Sequence, residues 1–236
     1  MTGRELAIVT GASRGIGRAI ALRFAKENYN VMIFGRDREA LKNVQTEIKN
    51  FGVESEFFSG DAADEKFVSQ SVSRIIEKYG KADHLVNNAG IGIFKKLVDS
   101  ELEDFKKQID VNLYGVYNFT RAVAGKMIER RSGSIINIAS LAGKNSFVTG
   151  TMYSASKHAV LGFTRSLMLE LREYNIRVAA ICPGSVATEF SSLPGMKPNA
   201  EKILSADDVA ESVMAILKLP VTALISEIDI RPTNPK

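Results

Sequence analysis

An alternation of short apolar runs with stretches of helical period, sustained from end to end, constrains this chain more than any other feature. Runs of strand character stand at Glu5 to Thr10, Val31 to Phe34, Val53 to Phe58, His84 to Val86, Ser134 to Ala139, Arg177 to Cys182 and Ile225 to Ile230. Between them apolar residues recur at offsets of three and four: Ile16, Ile20 and Phe24; Leu41, Val44, Ile48 and Phe51; Val68, Val72, Ile75, Ile76 and Tyr79; Val209, Val213, Ile216 and Leu217. Two longer stretches, roughly 101 to 130 and 152 to 174, read as helices. Parallel neighbours can be joined only by long crossovers, so seven strands alternating with six helices predict a parallel sheet covered on both faces. No linker or internal repeat interrupts the pattern. The expectation is an α/β fold, a single doubly wound domain of three layers over residues 1–236, ended by Pro232 and Pro235.

Composition matters here for what it excludes. With 45% hydrophobic residues in 236, the chain can bury a large core. Its longest apolar runs, such as Ala7 to Val9 and Val178 to Cys182, fall far short of the ~20 residues that span a bilayer, so no membrane association is expected. The charged start, Met1 to Leu6, is unlike a secretory signal, and the lone Cys182 excludes an internal disulfide; a cytoplasmic setting follows. The formal charge of +4 is spread over interleaved pairs such as Lys95-Lys96 and Arg130-Arg131, a pattern that predicts no nucleic-acid partner.

In open parallel sheets ligands bind beyond the carboxyl ends of the strands. After the first strand comes Thr10-Gly11-Ala12-Ser13-Arg14-Gly15-Ile16-Gly17, three glycines where strand turns into helix. Glycine permits positive φ and close backbone approach, and amides at a helix N-terminus attract a pyrophosphate. The spacing departs from G-x-G-x-x-G, because Ile20 stands where the third glycine would fall, and by itself the loop also fits a turn with no ligand.

The spacing T-G-x-x-x-G-x-G resembles that of the short-chain dehydrogenase/reductase family. The resemblance extends in family order through Asn87-Asn88-Ala89-Gly90, Asn112, Ser140, Tyr153-x-x-x-Lys157 and Pro183-Gly184, covering about Leu6 to Thr188. It implies a Rossmann-like fold and an oxidoreductase that moves a hydride between NADP(H) and a carbonyl or alcohol. It implies also that Asn112, Ser140, Tyr153 and Lys157 are catalytic, with Asn112 holding a relay water near Lys157. For the cofactor it implies Gly11, Ser13, Arg14, Gly15, Ile16 and Gly17 at the pyrophosphate, and Asp61 with Ala62 at the adenine. Asn88, Ala89 and Gly90 would line the adenine-ribose path. Pro183, Gly184, Val186 and Thr188 would lie along the nicotinamide, with Tyr153 and Lys157 at its ribose. A homo-oligomer, dimer or tetramer, is implied through the two long helices.

Residue chemistry bears on these roles. Tyr153 and Lys157 lie one helical turn apart on one face. Moving a phenol from a pKa of about 10 to about 7 needs roughly 4 kcal/mol, nearly what an ammonium ~4 Å away supplies at an effective dielectric near 20. Ser140, just past a strand, can donate to a carbonyl oxygen as charge develops there. His84 and His158 lack metal-ligand spacing, Cys182 reads as a buried small hydrophobe, and no nucleophile elbow appears, so metal and hydrolase chemistry are not expected.

Strand two ends Phe34-Gly35-Arg36-Asp37. An acid there would hold the ribose of NAD, and a base the 2′-phosphate of NADP. Gly35 occupies the acid position, Arg36 follows and Arg14 is a second base, so NADP is expected; against it stands Asp37, which would swing in to hold a ribose. The substrate wall is read as Ile91, Ile93, Phe94, Leu141, Phe190, Leu193 and Met196, with Lys144 and Asn145 as polar contacts and a lid over about 185–205. That wall suits a broad range of ketones and aldehydes. The ending Glu227 to Pro232 resembles that of members acting on small alcohols, sugars or hydroxy acids. Reduction of 3-oxoacyl groups on acyl carrier protein, and a non-catalytic NADP-binding redox sensor, are the alternatives.

Overall fold

The computed structural model describes residues 3–192 and 203–234. Its seven strands, β1 (Leu6–Thr10), β2 (Asn30–Gly35), β3 (Ser55–Ser59), β4 (His84–Asn87), β5 (Gly133–Ile138), β6 (Ile176–Pro183) and β7 (Glu227–Ile230), form one sheet in the order β3-β2-β1-β4-β5-β6-β7. Every pairing is parallel. The strand order reverses between β1 and β4, where a crevice opens at the carboxyl edge.

Strand residues alternate between two cores, as a period of two requires. Ala7, Val9, Val31 and Ile33 face α1 (Gly15–Lys26), α2 (Arg38–Lys49) and α7 (Ala206–Leu217), burying Ile20, Phe24, Leu41, Ile48 and Val213. Leu6, Ile8, Met32 and Phe34 face the opposite layer, where α3 (Glu65–Tyr79) contributes Val68, Val72 and Ile75. Side-chain caps start several helices: Asp37 accepts from Ala40 N–H (3.0 Å), Asp64 from Phe67 N–H (3.0 Å) and Ser205 from Asp208 N–H (3.1 Å). Among the described residues no helix is long and apolar enough to cross a membrane.

The stretch expected as one helix over 101–130 is continuous but not uniform. It runs as α4 (Leu102–Ile109), a π-helical turn over Asp110–Tyr114 and α5 (Gly115–Arg130). The widened turn carries Asn112, whose side chain bonds outside the helix, and it precedes Gly115, where a Cβ would lie 3.1 Å from that of Ala62. The helix expected over 152–174 is α6 (Thr151–Leu171) followed by a 3₁₀ turn at Arg172–Tyr174. The edge strands are shorter than their apolar runs: Val53 is buried but unpaired in the sheet ladder, and β7 begins only at Glu227.

A buried polar ladder crosses the middle of the sheet. Asn87 Nδ2 on β4 donates to Asn137 Oδ1 on β5 (2.9 Å) and to Thr120 Oγ1 on α5 (3.2 Å). Asn137 Nδ2 donates to Thr164 Oγ1 on α6 (2.8 Å), and Thr164 donates to the Val160 carbonyl (2.7 Å).

Candidate active site

A cavity of about 1440 Å³ lies along the carboxyl edge and receives residues from the end of every strand. All the residues singled out from the sequence for catalysis and cofactor binding line it except Gly17 and Asn112, which stand behind its wall.

At one end lies the glycine loop. Gly11 and Gly15 adopt positive φ (+63° and +54°), and a Cβ on Gly17 would fall 2.2 Å from the Gly11 carbonyl oxygen. A Cβ on Gly11 would fall 2.8 Å from Ala89 Cα. Two of the three glycines therefore serve contacts within the chain, and the loop is locked before any ligand arrives. Thr10 Oγ1 accepts from the N–H of Asn88 and of Ala89 (both 2.9 Å), while Asn88 Nδ2 donates to the Thr10 carbonyl (3.0 Å) and the Gly11 carbonyl (3.2 Å). Arg14 and Arg36 line this end, both exposed, and neither guanidinium meets a carboxylate among the described residues. Asp37 lines it too, but its carboxylate is engaged in capping α2. Asp61 holds a local turn, accepting from Ala63 N–H (3.0 Å), with its side chain still at the cavity wall.

At the inner end Tyr153 and Lys157 project from α6, 8% and 6% exposed. The Ser140 side chain stands near the phenol and favours its ionised form, and it accepts from Ala142 N–H (3.1 Å), so starting the 3₁₀ turn Leu141–Gly143. Gly143 makes this placement possible, since a Cβ there would lie 2.8 Å from the Lys157 carbonyl oxygen. Lys157 Nζ donates to the Ile138 carbonyl (3.0 Å) and stands 5.9 Å from the Tyr153 ring centroid. The expected depression of the phenol by the ammonium is not what dominates. Burial pushes Tyr153 up to about 12, opposed by the nearby Ser140 side chain, and pushes Lys157 down to about 8. Both groups lose hydration, and the ammonium sits beside the ring rather than against a charge. Asn112, 1% exposed, accepts from Ile91 N–H (2.8 Å) and donates to the Ile91 carbonyl and Ser156 Oγ (both 3.0 Å). It ties the loop after β4 to α6 beside Lys157.

Beyond Tyr153 the wall is aromatic. Phe94 and Phe190 pack on the Tyr153 ring at 5.3 and 5.8 Å, and Phe147 on Phe94 at 5.7 Å. Ile91, Leu141, Phe190 and Asn145 line the cavity as expected; Ile93 and Phe94 do not, Phe94 instead packing against the rings of Tyr153, Phe147 and Phe190. Nor does Lys144, which is paired with Glu227 and Asp229. Leu193 and Met196 lie outside the described residues, as does residue range 193–202 of the expected lid. The base of that stretch is fixed: Ala187 N–H donates to the Leu204 carbonyl (2.7 Å) and Leu204 N–H to Ser185 (3.0 Å). Sequence reasoning missed Phe147 and Arg231, which also line the cavity. Phe147 carried a signal in its place between Ser140 and Tyr153, whereas Arg231 had none.

Comparison with known proteins agrees with this arrangement. The short chain dehydrogenase family model matches residues 5–194. An alcohol dehydrogenase from the archaeon Thermococcus sibiricus, solved with 5-hydroxy-NADP, superposes with a TM-score of 0.90 at 30% identity, covering 98% of this chain and 97% of that one. A variant of the actinorhodin polyketide ketoreductase with NADPH gives 0.88 at 33%, covering 96% and 95%. A xylitol dehydrogenase with NAD⁺ gives 0.88 at 28%, covering 97% and 98%. Sheet order, glycine loop and the Ser140, Tyr153 and Lys157 cluster thus coincide with a sequence match over most of the length, and the chain belongs to the short chain dehydrogenase family of oxidoreductases.

Proposed function

We propose that the chain is an NADP(H)-dependent carbonyl reductase or alcohol dehydrogenase, with binding and catalysis in one domain. One observation carries the reading: the Tyr153 phenol, with Ser140 near it and Lys157 buried beside its ring, sits in the same cavity as the glycine loop and two guanidiniums, Arg14 and Arg36, that meet no carboxylate among the described residues. The residues present fit a phosphorylated dinucleotide. Gly11 to Gly17 would hold its pyrophosphate at the α1 N-terminus, Arg14 and Arg36 its 2′-phosphate, and Asp61, Ala62 and Asn88 to Gly90 its adenosine. Pro183, Gly184, Val186 and Thr188 would flank the nicotinamide, with Lys157 at the ribose. Engagement of Asp37 as a helix cap supports NADP over NAD.

The dinucleotide, when bound, supplies a hydride to a carbonyl carbon or accepts one from a carbinol. Tyr153, protonated at neutral pH, donates its proton to the substrate oxygen in reduction. Ser140 hydrogen-bonds that oxygen and stabilises its developing charge. Lys157, as ammonium, stabilises the phenolate left behind and relays a proton back. Asn112 Oδ1 keeps a second lone pair with which to hold the relay water beside Lys157. The exposed Leu97 and Val98 just before α4, Leu102 on α4, Tyr114 in the π turn and Tyr117 on α5 support association into a homo-oligomer. The sequence supports a cytoplasmic setting.

A second reading, reduction of 3-oxoacyl thioesters, is favoured by the likeness to a polyketide ketoreductase. A screen of ketones, aldehydes, alcohols and 3-oxoacyl thioesters with NADPH and NADH separates the two. Tyr153→Phe should abolish turnover while NADPH binding, followed by fluorescence, persists. Turnover within tenfold of the parent overturns the assignment of Tyr153.

A further inference from the structure

The cavity's charged lining is unevenly placed. Arg14, Arg36, Asp37 and Asp61 lie along the dinucleotide end, and Glu189 stands against Gly15, its Oε2 3.8 Å from the position of a Cβ there. At the substrate end the wall is aromatic and aliphatic, and beyond the catalytic Lys157 its charged side chain among the described residues is Arg231.

Its position follows from the sheet. Ile230 pairs with Pro183, and Gly184 N–H donates to the Ile230 carbonyl (2.9 Å), so Arg231 begins just where β6 leaves the sheet. Leu141 Cδ1 and Pro232 Cδ both overlie Gly184, 3.3 and 3.5 Å from where its Cβ would be. The tail therefore passes beside the Ser140 turn, and Asn145 and Ser146 beyond that turn also line the cavity.

The guanidinium is only loosely engaged. It makes no hydrogen bond among the described residues, and its one ionic neighbour, Asp229 Oδ2, is 3.6 Å away. Asp229 and Glu227 are already neutralised by Lys144, and Glu227 also by Arg165 (3.0 Å). Arg231 thus lines the cavity, more than half exposed, with a guanidinium whose one carboxylate contact is long and shared with Lys144.

We propose that Arg231 binds a substrate carboxylate, which makes small oxo acids and the corresponding hydroxy acids the substrate class, with the reacting carbonyl at Ser140 and Tyr153. For the reaction this rests on the reading above; the anion site itself does not. Bidentate pairing suits a carboxylate, and apolar rings around the reacting carbon suit a short alkyl chain.

The test pairs each acid with its neutral twin: 2-oxobutanoate, 3-oxobutanoate and 4-oxopentanoate against their methyl esters, with NADPH and NADH. At least one acid should exceed its ester in kcat/KM, chiefly through a lower KM, and the ratio should fall with added salt. Arg231→Met should lower that ratio by roughly tenfold to a hundredfold, and Arg231→Lys by less. Should Arg231→Met not fold, Asp229→Asn, which removes the acid paired with Arg231, should raise the ratio. A ratio at or below one for every pair, or one unmoved by either variant, overturns the proposal. Protection against thermal unfolding by pentanoate but not pentanamide gives a readout without turnover. Protection that depends on Arg231 with no turnover of any compound keeps the anion site and overturns the reductase reading. Equal turnover of acids and esters without protection does the reverse.

Discussion

The two ends of the cavity are built from different material. At the dinucleotide end the close contacts are backbone on backbone: Gly17 against the Gly11 carbonyl, Gly11 against Ala89, and an Asn88 amide threaded between two carbonyls. At the substrate end they are the tips of side chains. A Cβ on Gly92 would lie 2.6 Å from the outer ring carbons of Phe190 and Phe94, atoms that can swing away. The first end admits one geometry, whereas the second can be re-cut by a rotamer change. Holding the dinucleotide falls to the rigid end, and setting one substrate apart would fall to the adjustable end.

Glycine substitution is the sharpest way to break this contrast. Gly17→Ala should cost about 4 kcal/mol or more and lower the melting temperature by roughly 10 °C, because neither the carbonyl nor the helix can yield. NADPH binding should be lost with it. A melting temperature within 2 or 3 °C of the parent, on the order of 1 kcal/mol, would show that the loop is not locked.

Cofactor choice probes the rigid end more gently. Arg36→Ala should erode the preference for NADPH over NADH by about tenfold to a hundredfold in kcat/KM, and loss of Arg14 should erode it further. Gly35→Asp should turn the preference toward NADH, with Leu41, 3.3 Å from the new Cβ, giving way by a few tenths of an ångström. A parent that prefers NADH would return the ribose to Asp37.

Lys157 joins the two ends and couples stability to pH. Its folded pKa, about 8, lies below the ordinary 10.5, so between these values the unfolded chain binds more protons and stability rises with pH. Below pH 8 the full cost of burying the charge is present. Tyr153, pushed up to about 12, reverses the slope only above pH 10. The parent should therefore gain roughly 2 kcal/mol over Lys157→Met between pH 8 and 10, read from urea midpoints. Parallel curves for the two proteins would mean that Lys157 is not held dry. The variant should also lose turnover, so that the residue that costs the fold most is one the reaction needs.

The smallest effects are expected where contacts are replaceable. Asp37→Ala should cost about 1 kcal/mol of stability through loss of the α2 cap, with little change in cofactor preference. Gly92→Ala should leave the melting temperature within a few degrees, less than about 1 kcal/mol, and register instead as a changed KM for bulky ketones. Aggregation of Gly92→Ala would undo the contrast between the ends.

Much of this was legible in the sequence because it is written in local patterns. Period two against 3.6 gave the strands and helices, and the order of short motifs placed the residues that meet in the cavity. What escaped depended on distant neighbours. The π turn at Asn112 follows from bonds to Ile91 and Ser156, 21 and 44 residues away. The elevated Tyr153 reflects how dry the site is, which spacing on one helix does not reveal. Lys144 looked like a substrate contact until β7 brought Glu227 and Asp229 beside it, 83 and 85 residues later.

The buried ladder of Asn87, Asn137, Thr120 and Thr164 bears on what becomes of faulty copies of this chain. An apolar interface between α6 and the sheet would tolerate a slip of one turn with modest loss and leave Tyr153 displaced in an otherwise durable molecule. With the ladder present, such a slip strands several buried amide and hydroxyl groups, each costing about 1 to 3 kcal/mol, out of a total stability of only about 5 to 15. Misdocked copies unfold and are cleared instead of persisting as proteins that bind a dinucleotide and do nothing with it. Four buried polar side chains thus act as an inspection step, converting errors of alignment into errors of survival.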